Sequence, residues 1–120
     1  MYVIPVDNSQ NNTFKCTVPV DGKAIKFKFR FAYNSEAGYW YMDIYKSDNT
    51  PLLSSIPLVC GCNLLDQYSY MKIGSAYLVK TDKTFKDDIP NQYTLGTKFK
   101  LIWGDTSENE EYVLSEYYNN

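Results

Sequence analysis

The dipeptide Asp21-Gly22 lies between two runs that alternate apolar and polar residues, and it constrains this chain more than any other feature. Both residue types tolerate a positive φ, so the pair predicts a two-residue hairpin turn. Before it, Phe14, Cys16, Val18 and Val20 alternate with Lys15, Thr17 and Pro19. After it, Ile25, Phe27, Phe29 and Phe31 alternate with Lys26, Lys28 and Arg30. Closing the turn sets Val18 against Ile25, Cys16 against Phe27 and Phe14 against Phe29, always apolar against apolar. A one-residue slip would mix the two faces, so the register is well specified.

A second hairpin is expected through Tyr33–Gly38. Trp40, Met42 and Ile44 alternate with Tyr39, Tyr41, Asp43 and Tyr45. Aligning apolar with apolar sets Phe31 against Trp40, Phe29 against Met42 and Phe27 against Ile44. The other face then pairs Lys28 with Asp43, Arg30 with Tyr41 and Lys26 with Tyr45, each a favourable cross-strand neighbour. Residues 13–46 therefore read as a three-stranded antiparallel meander. Ser47–Pro51 has the composition of a turn. Leu52–Cys60 is apolar on both faces, and Pro57 limits how central its strand can be. Asn63–Tyr70 could form a short helical turn capped by Asn63. Ile73–Lys80 and Thr97–Trp103 read as two more strands. Short strands punctuated by turns, with no long helix, indicate an all-β single domain, a small barrel-like or sandwich body built on the meander. The expected division is an all-β domain over residues 1–105 and an acidic, aromatic C-terminal extension over 106–120.

With 120 residues there is room for one domain and one core. Leu52–Leu65 carries no charge, but Ser54, Ser55, Pro57, Gly61 and Asn63 interrupt it, so no bilayer-spanning helix is expected. Met1–Asp7 has neither a basic region nor an apolar run, so no secretory signal is expected. The chain contains no histidine, which removes the commonest general base and metal ligand together. It has no Gly-x-Ser-x-Gly and no glycine-rich phosphate loop. Asp87-Asp88 and Glu110-Glu111 are adjacent carboxylates in polar segments and read as solvated charges. Asp43 lies among Tyr39, Tyr41 and Tyr45 and reads as an ion-pair partner of Lys28. Cys16, Cys60 and Cys62 cannot close a set of bridges, and a one-residue spacer is wrong for a zinc knuckle. Three free thiols are expected, with no catalytic residue, metal or cofactor.

The aromatic content decides what remains. Twelve Tyr, six Phe and two Trp make up 17% of the chain. Tyrosine suits half-buried sites and protein interfaces. Lys26, Lys28 and Arg30 alternate on the face that also carries Tyr39, Tyr41 and Tyr45, so these six residues are a candidate contact surface. Residues 1–104 hold all 12 basic residues against nine acidic ones; residues 105–120 hold five acidic residues and no base. That tail also carries Tyr112, Val113, Leu114, Tyr117 and Tyr118. Ser107–Glu110 fits a capping box, and Val113 and Tyr117 lie one helical turn apart, although Glu111–Tyr118 would also serve as a strand. Carboxylates and aromatic anchors together suggest an arm that docks on Lys26, Lys28, Arg30, Lys98 or Lys100, most usefully on another chain. Tyr112, Tyr117 and Tyr118 therefore join the candidate surface. The alternative reading of the same residues is a small β-barrel module binding carbohydrate or single-stranded nucleic acid. A pI of about 5.0 weighs against nucleic acid.

Phe14–Gly22, Ile25–Phe31 and Tyr39–Ile44, in that order, resemble the opening of the small baseplate plug proteins of contractile-tailed phages and phage-tail-like particles. The resemblance continues through Ile56–Val59, Gly61–Leu65, Ile73–Leu78, Leu95–Thr97 and Trp103–Asp105. It implies a non-enzymatic structural protein at the centre of a virion tail baseplate, assembled in the host bacterial cytoplasm. The implied partners are hub, tube-end or wedge proteins and further copies of the chain in a symmetric ring. The segment after Asp105 lies beyond the shared pattern.

Overall fold

A computed structural model describes residues 2–9, 11–82, 84–107 and 110–118. Among the described residues seven strands form two antiparallel sheets. The four-stranded sheet has the order β2-β3-β4-β5, from Asn11–Val20, Lys23–Asn34, Tyr39–Lys46 and Pro51–Pro57. The three-stranded sheet has the order β1-β7-β6, from Tyr2–Ile4, Phe99–Gly104 and Ser75–Lys80. A short 3-10 helix, Asp66–Met71, precedes β6, and α1, Glu110–Tyr118, follows β7. The fold is an all-β sandwich, not a closed barrel.

The first hairpin has the expected register, with Val18 opposite Ile25, Cys16 opposite Phe27 and Phe14 opposite Phe29. Asp21 and Gly22 have φ of 52° and 80°, both positive as a type I′ turn requires. The second hairpin differs from expectation by two residues. Tyr33 faces Trp40, Phe31 faces Met42 and Phe29 faces Ile44, while Phe27 faces Lys46. The cause is a shorter loop. Asn34 Oδ1 accepts the N–H groups of Glu36 and Ala37 at 3.1 and 3.0 Å, and Gly38 N–H donates to the Asn34 carbonyl at 2.7 Å. Tyr33 and Asn34 thereby join β3. A two-residue shift leaves every side chain on its expected face, so the core is unaffected. It also gives Trp40 an edge-on aromatic partner, Tyr33, with ring centres 5.5 Å apart.

β5 is an edge strand, as Pro57 requires. Its pairing with β4 shifts register near Asp43, where Ser55 adopts a φ of 58°. The other predicted strands, β6 and β7, pair with each other. Pairing of Tyr2–Ile4 with β7 was not visible in the sequence, because three residues carry no periodicity and need β7 as a template. The helical turn also differs: it starts at Asp66 and is 3-10 in type. Asn63 does not cap it; Asn63 Oδ1 accepts the N–H groups of Leu65 and Ala76, both at 3.0 Å, and so ties the loop to β6.

The core lies between the sheets. Phe27, Phe29, Phe31, Trp40, Met42 and Ile44 meet Ile4, Leu78, Phe99, Leu101 and Trp103, and all are essentially excluded from solvent. Trp103 packs on Phe27 and Phe29 with ring centres 5.8 and 5.4 Å away, and its indole N–H donates to the Ile73 carbonyl at 2.8 Å. Gly74 makes this possible. Its φ is +104°, and a Cβ there would collide with Trp103 Nε1 and lie 2.8 Å from the Gly104 carbonyl oxygen. A polar clasp closes the same end of the sandwich. Asp21 accepts from the Thr106 N–H at 2.9 Å and the Thr106 hydroxyl at 2.7 Å, while Asp21 N–H donates to Asp105 Oδ1 at 2.7 Å.

Two outcomes are expected. Trp40→Ala should cost roughly 3–5 kcal/mol, because Trp40 is fully buried and its N–H donates to the Asn91 carbonyl at 2.8 Å. Tyr41→Ala, on the outer face, should cost about 1 kcal/mol; urea melts distinguish the two. The Thr106 N–H and hydroxyl hold the Asp21 carboxyl below the ordinary aspartate range. Its stabilising contribution is therefore complete above that ordinary range and fades as pH falls through the lowered value. Asp21→Asn should lose about 0.5–1 kcal/mol at pH 7, a modest figure because the site is exposed. In strong acid the variant and the native chain should converge.

Candidate functional site

The inward alternation that builds the core places a second set of residues on the outer face of the four-stranded sheet. Lys26, Lys28 and Arg30 project from β3, and Tyr39, Tyr41 and Tyr45 from β4, so the structure brings these six together on one layer. The two-residue shift changes their pairing. Lys28 sits opposite Tyr45, with its ammonium 5.4 Å from the ring centre and 2.9 Å from Asn49 Oδ1. Lys26 has no tyrosine opposite it; it is exposed and faces Thr17 of β2.

Asp43 pairs with Arg30, not with Lys28 as the sequence suggested, because the register places the two directly opposite each other. Arg30 Nη1 lies 3.0 Å from Asp43 Oδ2 and 3.5 Å from the Tyr41 hydroxyl, and its guanidinium carbon is 5.7 Å from the Tyr41 ring centre. Asp43 is only 6% exposed, and its other oxygen accepts the Ser55 N–H at 2.7 Å. One carboxylate therefore holds the β5 bulge and orients Arg30 beside Tyr41. The result is a firm face of aromatic rings and cations, the residue types that anchor protein interfaces.

The tail residues lie elsewhere. α1 rests on the outer face of the three-stranded sheet, where Val113 is fully buried with Tyr77, Val79 and Ile102, and Leu114 and Tyr117 pack alongside. The Tyr118 hydroxyl donates to the Lys80 carbonyl at 2.6 Å. Tyr112 is 57% exposed on the helix. The expected arm on another chain is thus, in this structure, a helix docked on its own domain, and apolar burial anchors it. The layer it covers is the one opposite Lys26, Lys28 and Arg30. The signal missed in the sequence was Tyr77, Val79 and Ile102, apolar at positions a half-solvated sheet would fill with polar residues. The expected capping box includes Glu108 and Asn109, which lie outside the described residues.

Two concave features flank the sheets. A groove of about 410 Å³ runs between β5 and the 3-10 helix, lined by Ser54, Ser55, Asn63, Asp66, Gln67 and Tyr68 among others. A second, of about 230 Å³, lies between α1 and β6 and holds Cys60 beside the Lys80–Asp88 ion pair. Burial pushes the Cys60 thiol up to about 11, so it is protonated and a poor nucleophile at neutral pH. All three cysteines are free thiols. Among the described residues no three His, Cys, Asp or Glu side chains cluster as metal ligands, and no helix is long and apolar enough to cross a membrane.

Removing residues 107–120 should expose Tyr77, Val79 and Ile102 and forfeit the burial of Val113. The expected loss is about 2–4 kcal/mol, with the two sheets retained. Thermal melting of the truncated chain checks this, and a melting temperature unchanged within error would mean that α1 contributes nothing in solution.

No curated protein matches the chain. A family model does, over residues 1–108, and its description is cyanophage baseplate Pam3 plug gp18. That span contains both sheets, the Asp21–Thr106 clasp and the tyrosine–cation face, and it stops before α1. An all-β sandwich matched along nearly its whole length to this model belongs to the baseplate plug family, a structural protein of the virion tail baseplate.

Proposed function

We propose that the chain works through protein–protein contacts inside the baseplate and that the outer face of the four-stranded sheet is its main contact surface. The observation that carries this reading is the row of Lys28 on Tyr45, held by Asn49, and Arg30 on Tyr41, held by buried Asp43. Aromatic rings and a guanidinium held in place lose little conformational entropy on binding. Lys26 and Tyr39 extend the face at either end. The partners are hub, tube-end or wedge proteins, with further copies of the chain completing a ring. On the opposite layer Tyr112 is a secondary contact, while Tyr117 and Tyr118 serve chiefly to seat α1.

Baseplate assembly from purified components, or particle yield in complementation, tests this. Lys28→Glu with Tyr45→Ala should leave the melting temperature of the isolated chain within about 3 °C. The same pair should lower incorporation by roughly tenfold or more, equivalent to about 1.4 kcal/mol of lost contact energy. Incorporation at the native level would sink the proposal. Tight binding of a short oligonucleotide by the native chain at physiological salt would favour a nucleic-acid module instead.

A further inference from the structure

The sandwich has four sheet edges, and three are closed. β5 carries Pro51, Pro57 and a bulge at Ser55. The free side of β6 is covered by the preceding loop: Cys60 bridges Leu78, Leu64 N–H donates to the Ala76 carbonyl, and Asn63 accepts the Ala76 N–H. β1 is three residues long and is followed by Pro5. β2 is different. It runs for ten residues with one unbroken register against β3, and among the described residues its backbone makes no hydrogen bond outside that ladder.

Hairpin geometry says which groups are open. A two-residue turn makes Val20 and Lys23 a mutually hydrogen-bonded pair, and such pairs recur at every second residue. Even-numbered residues of β2 therefore bond to β3. The N–H and C=O groups of Thr13, Lys15 and Thr17 point to the open side, and Pro19, with no N–H, ends the row. At the other end Asn12 Oδ1 is buried and accepts no hydrogen bond among the described residues.

The side chains indicate what would pair there. Lys15 is exposed and directly opposite Lys28, an unfavourable like-charge pair, and among the described residues no carboxylate lies within ion-pair distance of it. On the inner row Phe14 sits half-buried at the sheet margin, stacked 5.8 Å from Phe31. A strand laid beside β2 would satisfy three donors, set a carboxylate against Lys15 and cover Phe14. A second copy fits poorly, because pairing β2 with β2 joins two basic faces, each with Lys15, Lys26, Lys28 and Arg30. We infer that β2 is a strand-addition site for an extended segment of another protein, apolar at alternate positions and bearing a carboxylate opposite Lys15. The inference does not rest on the tyrosine–cation face, and either can fail alone.

The test uses the full chain and a blocked synthetic peptide of about nine residues, Thr-Val-Thr-Val-Glu-Val-Thr-Val-Thr, with a second peptide carrying Lys in place of Glu. Amide exchange followed by NMR should show Thr13, Lys15 and Thr17 slowed roughly tenfold or more by the Glu peptide. The Lys peptide should bind roughly tenfold more weakly, and Lys15→Glu should reverse that preference. Thr17→Pro removes an N–H that the β2–β3 ladder does not use, so it should abolish protection while leaving the melting temperature nearly unchanged. Absence of protection at about 1 mM peptide overturns the inference, as does protection that survives Thr17→Pro. Protection of the same amides without peptide, rising with protein concentration, assigns the edge to a second copy and overturns it as well.

Discussion

The packing of Trp103 against Phe27 and Phe29 joins the two halves of this protein. The first hairpin lays down an aromatic row that no local contact can cover, and its cover arrives some seventy-five residues later in sequence, from β7. Burying one large indole between two phenylalanines is a major share of what a small domain can gain from its core. The rest of that end of the molecule is arranged around it. Ile73 supplies the acceptor for the indole N–H, Gly74 supplies the space, and Asp105 and Thr106, just after Trp103, grip the turn at Asp21. Contacts of such long sequence separation slow folding, because a long loop must close before they form.

With the interior committed to packing, the outer layers are free to differ. One is basic and aromatic, with Arg30 held by the buried Asp43 carboxylate. The other is apolar and covered by α1, a helix beyond the span shared with the baseplate plug family. The chain has no histidine, and burial keeps the Cys60 thiol protonated at neutral pH. The edges follow the same logic. Prolines, a bulge and a covering loop close most of them, as sandwiches generally require to avoid uncontrolled pairing, so a long open strand is a feature to be explained.

Alternation along the first three strands, the turn at Asp21-Gly22 and the inward-facing side chains of those strands are legible in local sequence. These are local properties: a period of two and a two-residue turn are set by backbone sterics whatever lies nearby. The rest depends on contacts between segments distant in sequence. The register of β3 on β4 depended on Asn34 folding back over its loop, a hydrogen-bonding choice with two outcomes of equal parity. The Arg30–Asp43 pair followed from that register. Tyr2–Ile4 became a strand only because β7 offered an edge. The tail became a helix on its own domain because Tyr77, Val79 and Ile102, distant in sequence from it, left an apolar surface that water would not cover cheaply.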